Sequence, residues 1–164
     1  MSILNLVSYT LFGVLLAVLV LAIHQRLKKY SSNFSKLASV FGIIWVGLVI
    51  ASGMIANIGL NSVIEIGIKE PENAMLVWSS VSIISEGLGG GNEIVGGIWM
   101  LLLSIIALKG QLFSKPLIIL VGIAGILTIY PLDIFTEIFG ISQIIWFLWV
   151  GIFMIRKPLT VVRN

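Results

Sequence analysis

The acidic complement of this 164-residue chain is seven residues, and four of them, Glu86, Glu93, Asp133 and Glu137, stand where long apolar runs begin or end. Two carboxyl groups brought together could bind a hard cation through oxygen or hold a cationic ligand. They could also divide into general acid and base once burial separates their pKa values. Their spacing matches no metal-loop pattern, and a carboxylate at a membrane edge can stay hydrated with no further role. Around them lie other groups able to hydrogen bond: Asn92 and Glu93 at the end of Gly89-Gly90-Gly91-Asn92-Glu93, then Trp99, and Asn57, Tyr130 and Gln143 in the same outer halves of their apolar runs. One reading is a polar vestibule with Glu86, Asn92, Glu93, Trp99, Asp133, Glu137, Asn57 and Gln143 as ligand-binding candidates. The other is a glycine hinge with Asn92 or Glu93 capping a helix start, and with the remaining amides bonding neighbouring helices.

Much chemistry is excluded outright. The absence of cysteine removes disulfides, thiolate metal sites and cysteine nucleophiles. A single histidine, His24, rules out paired axial haem ligation and multi-histidine zinc sites within one subunit. At the end of the first apolar run beside Arg26, it reads as an interfacial positioning residue. No cofactor and no metal is expected.

The elements that must carry these residues follow from composition. Hydrophobic residues make up 59% of the chain and charged ones 10%, with a mean hydropathy of +1.14. That is more apolar surface than a soluble domain of this size buries. The apolar residues form continuous runs and do not alternate with polar ones, which favours helices over a barrel. The expected fold is all-α: a polytopic membrane helical bundle forming a single domain over 1–164, with spans at about 3–23, 37–60, 91–108, 116–132 and 138–155. Residues 74–88, short, serine-bearing and running into Gly87 to Gly91, are expected as a separate non-spanning helix, interfacial or re-entrant, on the outer face. No charge then falls inside the apolar run of a span; the third run begins at Ile94, just after Glu93.

Cation placement decides this topology. With 74–88 uncrossed, Arg26, Lys28, Lys29, Lys36, Lys109, Lys115, Arg156, Lys157 and Arg163 share one side, and of the ten cations Lys69 alone stands opposite. All seven acids fall on the side of Lys69. The positive-inside rule then puts the N-terminus outside and the C-terminus in the cytoplasm. The net charge of +3 comes from basic residues that sit singly or in small groups at span ends, and it describes no nucleic-acid surface. The cluster Arg26, Lys28, Lys29 and Tyr30 fits either a topology signal or an attraction to anionic lipid. Small residues at helical spacing, such as Gly13 with Ala17 and Gly47 with Ala51, fit close helix contacts within one chain or in a homo-oligomer. Trp45, Trp78, Trp99, Trp146 and Trp149 are spread over different depths and form no interfacial belt.

The stretch from Pro71 to Lys157, with GGGNE, GGIWMLLLSIIAL, the basic turn KGQLFSKP and a final Trp-rich helix, resembles the second half of a family of uncharacterised small bacterial multi-pass membrane proteins, a domain of unknown function. The resemblance covers about half of the chain and implies a plasma (inner) membrane location and no particular activity. The expectation is therefore a non-enzymatic integral membrane protein, with the lipid bilayer as its surroundings and a ligand or partner site on the acidic outer face. It could be a homo-oligomer or the subunit of a membrane complex. The alternatives are a membrane-embedded enzyme using the outer carboxylates, or an oligomeric channel or transporter.

Overall fold

The structure, a computed structural model, describes residues 3–110 and 133–156, together with Ile119 and Ile123. Every element among the described residues is an α-helix: α1 (Ile3–Leu27), α2 (Ser32–Gly67), α3 (Pro71–Gly110) and α4 (Asp133–Arg156). The span expected at 116–132 lies, apart from Ile119 and Ile123, outside the described residues.

Each helix begins and ends where its sequence permits. His24 and Arg26 occupy the last turn of α1, where positive charge meets the negative end of the helix dipole. The chain reverses over Lys28 to Ser31. Ser31 is extended (φ −160°, ψ 96°) and gives no side-chain cap, but its carbonyl accepts from the Ser35 amide at 3.0 Å and so opens α2. A second short reversal, Ile68 to Glu70, leads to Pro71, which suits a first turn because its missing N–H would be unbonded there anyway. Glu72 lies in that same first turn.

Three of the helices contain segments long and apolar enough to cross a membrane, Val7–Leu27, Ser32–Gly67 and Pro71–Gly110, and Gly140–Arg156 is a shorter apolar stretch. The protein is accordingly a helical membrane protein. Its core is built from helical stripes: Leu16, Val20, Ile23 and Leu27 of α1 close on Ala38, Trp45 and Val49 of α2 and on Trp99, Leu103 and Ile106 of α3. Trp45, Trp99, Trp146 and Phe147 join α2, α3 and α4, with neighbouring ring centroids 5.3–6.5 Å apart. These separations lie in the range of favourable aromatic pairs.

Two glycines let α2 approach its neighbours. A Cβ on Gly42 would stand 2.6 Å from a Val20 methyl and 2.9 Å from Trp99 Nε1, and one on Gly53 would run into the Tyr9 ring. Glycine here is a steric requirement of the helix crossings.

The separate outer helix expected at 74–88 does not occur. The backbone is helical without interruption through Gly87 to Gly91, so that 74–88 and 91–108 are parts of one 40-residue helix. Each glycine lowers helix stability by roughly 1 kcal/mol relative to alanine. A break in apolar surroundings would instead strand backbone N–H and C=O groups that have no water to bond.

Candidate functional site

The facing pairs of α2 and α3 fix the depth of each candidate. Gly42 meets Trp99, Gly59 meets Val81 and Gly67 meets Ala74. The Ser52 hydroxyl lies 3.1 Å from the Ser85 hydroxyl and donates to the Ser85 carbonyl at 3.3 Å. The two helices are therefore antiparallel neighbours along their length. Interpolating between these pairs sets the backbone of Glu93 level with Val46 and Gly47, near the middle of the apolar run 37–60.

This corrects the expected geometry. Asn92 and Glu93 stand inside a continuous helix and not at the mouth of one, so their backbone amides already belong to the helical ladder and leave no orphan donors to cap. The spanning-length helix Pro71–Gly110 also includes Glu86 and Glu93, against the expectation that the spans are free of charge. Of Asn92, Glu93 and Asp133 the backbone alone is described.

The other candidates disperse. Glu86 and Glu137 are exposed. Trp99 is 1% exposed, enclosed by Trp45 and by Trp146, whose rings lie 5.5 and 5.3 Å away. Asn57 is 2% exposed, and neither atom of its amide has a hydrogen-bond partner. It lies on the α1 side of α2, one turn beyond the Gly53–Tyr9 contact. Gln143 of α4 is part-buried, with an unbonded Nε2. No group of three or more His, Asp or Glu able to hold a metal ion gathers among the described residues.

Two features were beyond sequence reasoning. The first is a hairpin that outreaches its neighbours. α2 and α3, with 36 and 40 residues, are about 54 and 60 Å long. α1 and α4, with 25 and 24 residues, are about 38 and 36 Å long. Tyr9 against Gly53 and Gly13 against Ile50 put the start of α1 level with about Gly59. Trp146 against Trp99 puts the start of α4 level with about Glu86. Residues 60–67 and 71–80 thus stand clear of α1 and α4 by about 12 to 15 Å. This projecting hairpin has Glu65, Lys69, Glu70 and Glu72 around its tip, yet its sides are apolar and open. Ile68, Met75 and Leu76 are 79%, 76% and 68% exposed. A groove of about 490 Å³ runs along it, lined by Val63, Ala74, Met75, Trp78, Ser79 and Ser82.

The second is the fastening of the opposite end. His24 Nδ1 lies 2.8 Å from the Ser35 hydroxyl, which donates to the His24 carbonyl at 3.3 Å, joining α1 to α2. The Arg26 guanidinium donates to the Met154 carbonyl at 3.2 Å and lies 5.6 Å from the centre of the Phe153 ring, joining α1 to α4. The positioning role read for His24 at the end of α1 could have pointed to the first of these. Nothing in the sequence linked Arg26 to a residue 128 positions away.

The chain matches no protein-family model, no curated protein and no solved structure.

Proposed function

We propose that this chain is a five-span, non-enzymatic protein of a bacterial-type plasma membrane, N-terminus outside, whose outer hairpin docks an apolar helix of a second membrane protein. The observation that carries this reading is the overhang of α2 and α3. A bilayer's hydrocarbon is about 30 Å thick, which matches the lengths of α1 and α4 and leaves the hairpin tip beyond it. Apolar side chains left open there forgo roughly 25 cal/mol per Å² of apolar area that contact with a partner would recover. Open apolar surface of this kind is a mark of interaction sites.

The orientation rests on charge. Among the described residues Arg26, Lys28, Lys29, Lys36, Lys109 and Arg156 lie at one end of the bundle, while Glu65, Glu70 and Glu72 lie at the other. The resemblance of Pro71 to Lys157 to small bacterial multi-pass proteins fits the same membrane. Below the hairpin, Glu86 and Glu137 are exposed and suit a rim that selects a partner better than a reacting pair.

A photo-crosslinking residue placed at Met75 or Leu76 in native membranes tests the proposal. A discrete protein adduct is expected at both positions, with lipid adducts alone at the control position Leu21 of α1, 54% exposed. Lipid adducts alone at Met75 and Leu76 would sink the docking reading. An adduct of twice the chain's mass would assign the surface to self-association.

A further inference from the structure

Away from the hairpin, the opposite end of the bundle carries a concentration of positive charge, and among the described residues no acid lies at that end. Lys28 and Lys29 stand in the turn after α1, Lys36 in the second turn of α2 and Lys109 at the end of α3, and all four are exposed. Among the described acids, Glu65, Glu72, Glu86 and Glu137 lie in the outer halves of their helices, Glu70 lies in the turn at the hairpin tip, and the backbone of Glu93 lies near the middle of α3. Arg26 differs from the four lysines because its guanidinium is engaged by the Met154 carbonyl and the Phe153 ring.

Two of the lysines are held in place. The Lys29 ammonium lies 4.9 Å from the centre of the Tyr30 ring, and that of Lys109 lies 4.8 Å from the centre of the Phe34 ring. Both are cation–π distances. The second contact matters more, because it brings the end of α3 onto the first turn of α2, beside Lys28 and Lys29 in the preceding turn. Residues some 80 positions apart in sequence thereby form one basic patch. Pinning a flexible lysine beforehand reduces the ordering that a ligand must impose. The rings themselves, Tyr30 and Phe34, are each 36% exposed, at the depth where aromatic side chains meet lipid headgroups.

We infer that Lys28, Lys29 and Lys109 form a binding surface for the phosphate headgroup of an anionic phospholipid; Lys36, two residues past Phe34, stands on the other side of α2. The headgroup phosphate lies among the ammonium groups while its acyl chains run down the apolar outer sides of α2 and α3. A membrane leaflet supplies such phosphates at the same depth as the lysines, whereas a free anion would approach from water alone. The surface is independent of any partner at the outer hairpin.

The test uses the full chain in a neutral detergent, with retained lipid counted by native mass spectrometry. Phosphatidylglycerol should be retained at concentrations where phosphatidylcholine is not, and retention should fall steeply between 50 and 500 mM salt. Lys29→Gln with Lys109→Gln should weaken retention by about fivefold per lysine removed, while Lys29→Arg with Lys109→Arg and the opposite-end variant Lys69→Gln should match the parent. Equal retention of the two lipids, or retention indifferent to salt, overturns the inference without recourse to any variant. Full competition by millimolar inorganic phosphate would reassign the surface to soluble anions and likewise overturn the lipid assignment.

Discussion

Trp99 of α3 meets Trp146 of α4 edge to face, with ring centroids 5.3 Å apart and planes at 81°. The contact locks the third and fourth described helices at one depth. It also uses the indole of Trp99 for packing, with its Nε1 set 2.9 Å from where a Cβ on Gly42 would stand.

Gly42 is therefore expected to be intolerant of even one added carbon. Gly42→Ala forces the crossing of α1, α2 and α3 apart and should destabilise by about 1–3 kcal/mol, the range for overpacked cores. Gly47→Ala, five residues on with nothing within 4 Å of the new methyl, should be neutral or stabilising by up to about 1 kcal/mol. Thermal unfolding of the two variants side by side in detergent gives the comparison.

The unbroken course of α3 makes a prediction opposite in sign to that of a hinge. Beside Gly87 and Gly89 there is open space, so Gly87→Ala and Gly89→Ala should each raise stability by roughly 1 kcal/mol through helix propensity alone. A loss of stability, measured by thermal or denaturant unfolding, would mean that the chain bends at these glycines.

Asn57 presents a buried amide with neither atom bonded. Leaving such a group in apolar surroundings costs about 1–3 kcal/mol, and Asn57→Leu should recover part of that as a higher melting temperature. Should the variant melt lower, the amide holds a polar partner that leucine cannot replace.

The absence of cysteine gives a clean background for mapping orientation. A cysteine replacing Lys69 should react with a membrane-impermeant maleimide added outside intact cells. One replacing Lys109 should react only after the membrane is opened. Reaction of Lys109→Cys from outside would invert the five-span arrangement and move the outer hairpin to the cytoplasm.

The legible part of this fold is what apolar run length encodes. The run 3–23 lies within α1 and 37–60 within α2, because a bilayer-length stretch of apolar residues has few other ways to satisfy its backbone. The reading failed at Gly87 to Gly91, where local propensity argued for a break and the need to keep backbone hydrogen bonds prevailed. It failed also at depth. Taking 91–108 as a whole span puts Asn92 and Glu93 at an outer edge, whereas contacts such as Gly59 with Val81 put them near mid-helix. Trp45, Trp99 and Trp146 meet only through the mutual register of three helices, and no spacing within one run contains that. Among the site candidates, residue type identified polar groups worth following, but their convergence depends on the same register.

The Arg26 contact with Met154 ties the first of the described helices to the last of them. During synthesis that guanidinium must wait while more than a hundred residues emerge and insert. It can do so because it lies at the edge of the apolar region, where it can remain hydrated. When α4 arrives, the waiting side chain gains a carbonyl and an aromatic ring together, so an earlier helix supplies a latch for a later one.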